Sequence, residues 1–330
     1  MNSRPLLIVL TPVRNEAWVL KAFLEATSLW ADYIIIADQM STDGSREIAK
    51  TYSKVILIDN DRQEMHQAAT RHLLFEEAKK IKGEKILFTL DADEFLSGDF
   101  VNSSDWKKIM NSVQDDCFCW RWMNLKKNDI TQYSTHEHYY WCVHESESMW
   151  RGEFPENFIH EWRLPWPPNA GESHIFRLND FCSIHLAHVN NVRQMNKERF
   201  YQVSTVGHNP EKSKIALFRQ YHTDNQMEYF PVPSDAYKFY LNNDLDIWKY
   251  VDFEDDGAYY SEEILSYFKR DGIDKYAMLD IWDEDWLKKY GIKDPRRPYQ
   301  KLVQKYLLKT QASRNRIIVR CIDKFLKTIF

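Results

Sequence analysis

Phe88-Thr89-Leu90-Asp91-Ala92-Asp93-Glu94 ends an apolar run, Lys85–Leu90, with two carboxylates one residue apart. Side chains alternate along a strand, so residues i and i+2 face the same way, and Asp91 and Asp93 are expected to converge on one ligand at the strand's end. Carboxylate oxygens suit a hard cation such as Mg2+ or Mn2+, which in turn neutralises a leaving diphosphate. The same spacing also describes two solvated loop acids, so the surrounding sequence decides between them.

Leu6–Leu10, Tyr33–Ala37 and Val55–Ile58 are further short apolar runs that predict strands. Between them, Val19, Leu20, Phe23 and Leu24 share one helical face, as do Leu74, Ala78 and Ile81. Ser45–Tyr52 predicts a shorter helix after the turn residues Asp43 and Gly44. This alternation is the rhythm of a parallel α/β layer, in which ligands bind outside the carboxyl ends of the strands. Each predicted strand is followed there by polar residues: Thr11-Pro12-Val13-Arg14-Asn15-Glu16, then Asp38 through Ser45, then Asp59-Asn60-Asp61-Arg62, then Asp91-Ala92-Asp93. Acids for ribose and base, with a cation and arginine for phosphate, would suit a nucleotide. No G-x-G-x-x-G or Walker A sequence is present, which argues against a dinucleotide-binding dehydrogenase or a P-loop NTPase.

Three of these segments together resemble the family 2 glycosyltransferases of bacterial surface-polysaccharide assembly. Thr11-Pro-Val-Arg-Asn-Glu16 is similar to their first-strand motif, Asp38 through Ser45 to their D..STDGS segment, and Leu90-Asp-Ala-Asp-Glu94 to their DADE form of the D-x-D motif. The resemblance covers about the first 100 residues. It implies a GT-A (nucleotide-diphospho-sugar transferase) fold, an α/β architecture with a mixed central sheet, here with a helical extension. It also implies a nucleotide-sugar donor, an Mn2+ or Mg2+ cofactor, and a glycan or lipid-linked acceptor. Thr11, Arg14, Glu16 and Asp38 would border the nucleoside with Asp43 nearby, and Asp93 would hold the metal-diphosphate with Asp91 assisting. Pro12 and Arg62 complete the expected donor site. Asp43 is equally readable as a turn residue and Glu16 as a first-turn helix acid. Phe95 stands where relatives often carry arginine, which argues against a phosphate role for that position.

Farther along, Phe158-Ile-His-Glu161-Trp-Arg163 resembles the family's HE segment and Ile184-His185-Leu-Ala-His188 its later histidine segment. An inverting transfer needs a carboxylate to take the acceptor's proton. Glu161 is the candidate base, with Asp180 and Glu153 as alternates; Glu161 paired with an arginine such as Arg163 is the competing account. His185, with His188 behind it, is the candidate to complete the metal shell or touch the diphosphate, although a lone histidine in an apolar segment is also an ordinary core residue. His136, His138, Cys142 and His144 lack the paired spacings of structural zinc sites.

The cysteines, five in number, form no C-x-x-C pair, and no apolar run approaches the ~20 residues a membrane span needs. A reducing, cytoplasmic setting is expected, at most associated with the inner face of the cell membrane, with no nucleic-acid partner. Expected divisions are residues 1–115, the nucleotide-sugar-binding half; 116–190, the acceptor and catalytic half with partly antiparallel sheet; 191–295, a helical accessory region; and 296–330, a basic amphipathic tail. The chain carries a net charge of −5, yet from Tyr299 to Phe330 Lys and Arg outnumber the single acid Asp323. Ile318, Ile322, Phe325 and Ile329 form one helical stripe there, and Arg316, Arg320, Lys324 and Lys327 the opposite one. This predicts an interfacial helix in contact with membrane, or else a closing helix packed on the protein. Two other classes compete for the whole chain: a sugar nucleotidyltransferase, which would open with a glycine-rich basic loop, and a sugar-binding scaffold without turnover. A haloacid-dehalogenase-type phosphatase is disfavoured, because its D-x-D lies near the chain start.

Overall fold

The computed structural model describes residues 4–62, 67–146, 163–164, 174–222 and 227–330, the side chains of 136–140 excepted. They divide into two compact units, Met1–Val189 with Tyr229–Phe253, and Asn190–Glu228 with Glu254–Phe330.

Among the described residues, the first unit is built on one ten-stranded sheet. Its parallel part is β1 (Leu6–Val13), β2 (Tyr33–Asp38), β3 (Val55–Asp59) and β4 (Lys85–Thr89), with β1 in the middle between β2 and β4. These strands have no polar face because both faces are covered. Leu7 and Val9 point into a core shared with Val19, Leu20 and Phe23 of α1 (Ala17–Ser28), whereas Ile8 and Leu10 point into a second core with Leu74, Phe75 and Ala78 of α3 (Gln67–Lys80). The short helix α2 (Ser45–Lys50) starts at Gly44, whose φ of 98° is a left-handed conformation that glycine adopts without a Cβ penalty.

The sheet turns antiparallel at β7 (Asp129–His144), which pairs with β4 and with β6 (Cys117–Lys126). The other edge of β6 receives β8 (Ile175–Arg177) and β9 (Ser183–His185) one after the other, both parallel to it. On its far side β9 pairs antiparallel with β5 (Glu94–Leu96). The register between β6 and β7 shifts near Trp120 and Trp122. Phe88, Trp30 and Phe100 pack around Trp106 of α4 (Ser104–Met110). A two-residue strand, β10 (Phe230–Pro231), adds to β7, and α7 (Lys238–Asn242) places Tyr240 in the same core.

The second unit is helical among its described residues. In it, α5 (Asn191–His208) packs on α8 (Ala258–Asp271), with Phe200 against Tyr260. The helices α6 (Lys214–Tyr221) and α10 (Pro298–Thr310) share a small core of Ile215, Phe218, Met278 and Leu307, and α9 (Glu284–Tyr290) and α11 (Ile317–Ile329) complete the set. Among the described residues no helix is long and apolar enough to cross a membrane.

Candidate functional site

Three short strand segments build the site. β9 lies between β6 and β5, so His185 has Asn124 as its partner on one side and Glu94 on the other. The turn before β5 sets Asp93 beside this row: its carbonyl accepts from Leu186 N at 2.9 Å, and its Oδ2 lies 3.5 Å from His185 Nε2. The imidazole stacks on Trp122, with 5.2 Å between ring centroids and 12° between planes. Its Nδ1 lies 2.7 Å from Asn124 Oδ1. An amide oxygen can only accept, so a proton sits on Nδ1, which leaves Nε2 to face Asp93.

Asp93, Glu94 and His185 each present a ligand atom, all within 4.8 Å of one another. Two carboxylates and an imidazole could hold a divalent cation. Glu94 is the least available of the three. Its Oε2 accepts from Arg163 Nη1 at 2.6 Å and from Asp91 N at 2.9 Å, and its Oε1 from Arg163 Nη2 at 2.8 Å and Trp122 Nε1 at 3.0 Å. Four donors fill the four lone-pair positions of a carboxylate. Asp93 and His185 are therefore the more available of the three for a cation, with the carboxylate of Glu94 close by.

Asp91 does not share the ligand position of Asp93, contrary to the i, i+2 expectation. β4 stops at Thr89, and Glu94 N donates to Asp91 O at 3.1 Å, so the two acids are separated by a turn rather than set along a strand. Asp91 instead accepts from Arg71 Nη2 and Arg163 Nη2, each at 2.7 Å. Burial opposes the charge of Asp91, but Arg163 and Arg71 outweigh it and hold the carboxyl below its ordinary range. Burial pushes Glu94 up, against the opposing pull of Arg163. Burial also opposes the charge of Arg163, yet Asp91 and Glu94 hold it more firmly protonated than usual. Its guanidinium lies 4.5 Å from the ring of Trp141 and 5.2 Å from that of Trp122.

The other strand ends lie along the same edge, since Val13 pairs with Asp38 and Asp38 with Asp59. Asp38 Oδ2 is held by Arg46 at 2.8 Å and by Ser41 N at 3.2 Å, whereas the buried Asp38 Oδ1 and Thr11 Oγ1 have no hydrogen-bond partner among the described residues. Pro12 lies within β1, with Arg14 just past its end. Glu16 accepts from Trp18 Nε1 at 2.6 Å. Asp43 serves the turn, accepting from Ala17 N, Ser45 N and Ser45 Oγ. Arg62 is exposed, and its carbonyl accepts from Gln39 Nε2. Asp180 caps the first turn of α4 through Ser104 Oγ and Asp105 N. Glu153, His160 and Glu161 lie outside the described residues. Cys142 is buried in the core, and His144 lies between Ser112 and Glu84.

Residues 8–157 match the family model described as glycosyl transferase family 2. The match covers somewhat less than half of the chain, and the mixed central sheet with flanking helices is consistent with the GT-A type of α/β fold. No curated protein matches the chain. Among solved structures, glucosyl-3-phosphoglycerate synthase from Mycobacterium tuberculosis, in complex with Mn2+, UDP and glucosyl-3-phosphoglycerate, is 16% identical with a TM-score of 0.27 over 36% of this chain and 44% of that one. The chain thus spans less than half of that protein's length. GalNAc-T7 with UDP, GalNAc and Mn2+ is 11% identical with a TM-score of 0.41, over 83% of this chain and 59% of that one. The inositol-1-phosphate CTP transferase from T. maritima is 7% identical with a TM-score of 0.37, over 56% of this chain and 91% of that one.

Nothing local in the sequence singles out Glu94, Asn124 or the role of Arg163 in the acidic turn. Arg71 had a legible sign: it precedes Leu74 by three residues and Ala78 by seven, which places a cation on the apolar face of its helix.

Proposed function

We propose that the protein is an inverting, metal-dependent glycosyltransferase. It would move a sugar from a nucleotide-diphosphate donor to a glycan or lipid-linked acceptor in surface-polysaccharide or lipopolysaccharide synthesis. The observation that carries this reading is the pairing of Asp93 with His185, fixed by the β6–β9–β5 register in the first unit, whose parallel strands end in polar residues. A bound Mn2+ or Mg2+ would supply electrostatic stabilisation of the leaving diphosphate.

The chain's own groups do the rest. Asp93 and His185 hold the ion, and Asn124 keeps the imidazole lone pair on Nε2. Thr11 Oγ1 and Asp38 Oδ1, buried and unpartnered among the described residues, fit the donor and acceptor groups of a nucleoside. Pro12, Arg14, Glu16, Asp43 and Arg62 border that position. Beside Asp91, Arg71 keeps its buried Nη1 without a partner among the described residues, which favours an anionic ligand there. Glu161 takes the acceptor's proton as the nucleotide leaves from the opposite face of the sugar.

Donor hydrolysis and transfer, measured with Mn2+ or Mg2+ and with EDTA, test this on the wild type and Asp93→Asn. The variant should remain folded and lose turnover by on the order of 100-fold or more. A folded variant that transfers at the wild-type rate would refute the metal assignment. Tight nucleotide binding without turnover in the wild type would instead favour a sugar-binding scaffold.

A further inference from the structure

The inward side of α11 is held by a buried ion pair within the second unit. Arg219 of α6 grips Asp323 through Nε to Oδ2 and Nη2 to Oδ1, both 2.9 Å, and its Nη1 donates to Leu307 O at 2.6 Å. Val319 is buried on the same side. This contact fixes the roll of the helix about its axis. With that roll, Ile318 is 74% exposed, Phe325 65%, Ile329 56% and Ile322 39%. They form one stripe at about 100° per residue. The apolar surface continues through Phe330 to Tyr299, whose rings stack 6.2 Å apart. The other outward edge carries Arg320, Lys324 and Lys327, which with Arg314 line an open groove of about 510 Å³.

We propose that this outward arc of α11 docks on an anionic lipid surface. The apolar stripe enters the boundary between headgroups and acyl chains, while the long cationic side chains of the outward arc's other edge reach lipid phosphates. Charge complementarity selects this occupant: the chain as a whole is anionic, yet its cations concentrate here. A second copy of the chain fits less well, because a stable interface takes roughly 20–30 residues a side, far more than this stripe offers.

Two double variants of the full chain test it, Ile318→Ser with Phe325→Ser, and Arg320→Glu with Lys324→Glu. All four positions are exposed, so circular dichroism and melting should match the wild type. Sedimentation uses vesicles of phosphatidylcholine with phosphatidylglycerol, or of phosphatidylcholine alone, at low and high salt. The wild type should partition onto the anionic vesicles, less at high salt, and each variant should bind them roughly tenfold or more weakly. Three results would overturn the proposal: wild type that stays in the supernatant, variants that bind like wild type, or wild-type dimers in the absence of lipid that the serine variant dissociates. The last would assign the stripe to a second copy.

Discussion

Arg163→Met would leave Glu94 a charge without its counter-ion, at a position where its side chain is 0% exposed. Removing one partner of a buried pair costs roughly 3–5 kcal/mol. Asp91 contributes the smaller part, since its side chain is 33% exposed and Arg71 still holds it. Methionine keeps most of the packing between Trp122 and Trp141, so the loss is chiefly electrostatic. That gives the deficit a pH signature. Glu94 is already pushed up by burial, and without Arg163 it rises further. A carboxyl with a folded-state pKa above its unfolded value of about 4.3 binds more protons when folded, so stability falls as pH rises from there through the folded value. The variant should therefore recover about 1.4 kcal/mol for each unit of pH lowered within that window. Asp91 works in the opposite sense: its lowered pKa contributes stability above its unfolded value of about 3.9, lost only as pH falls through the folded one, so it adds little slope between pH ~5 and ~8. Urea unfolding followed by tryptophan fluorescence measures the gap between wild type and variant. It should be widest on the alkaline side and narrow as pH falls toward the ordinary carboxylate range. A gap that is constant across this range, or below ~1 kcal/mol at its alkaline end, would refute the buried-charge account.

Asn124→Ala removes the group that orients His185 and should weaken Mn2+ affinity by roughly 10–100-fold, read by calorimetry on the unreacted protein; unchanged affinity would take His185 out of the ion's shell. Glu161→Gln should leave donor binding nearly unchanged while lowering kcat, because the amide keeps the shape but accepts no proton. A variant that loses nucleotide binding instead, or keeps its rate, would move the base to Asp180 or another acid.

The parallel half of the fold is legible because its strands alternate with helices, and uninterrupted apolar runs such as Leu7 to Leu10 declare burial on both faces. Asp93 and His185 are legible as motifs. Their neighbours are not, because Asn124 meets His185 only through a pairing 61 residues apart in the chain, and Arg163 meets Glu94 across 69. No local periodicity carries such register. The divergence of Asp91 from Asp93 was hidden for a local reason: an apolar run shows that a strand exists, but not the residue at which it gives way to a turn. For α11 the wheel displays opposed stripes, yet leaves unsaid that Asp323 and Val319 form the side that packs, which is what leaves the isoleucines outside.

The three-residue strand β9 has a consequence for how the chain folds. The hairpin of β6 and β7 is local and can form early, whereas β9, farther along the chain, must come back to fill the space between β6 and β5. Until it arrives, both neighbours show an unpaired edge, a surface on which other chains can add strands. Aggregation during refolding should therefore track the lifetime of this gap. A divalent ion that needs both Asp93 and His185 rewards only molecules in which the gap has closed, so adding it should raise the refolding yield by holding the insertion in place rather than by speeding it.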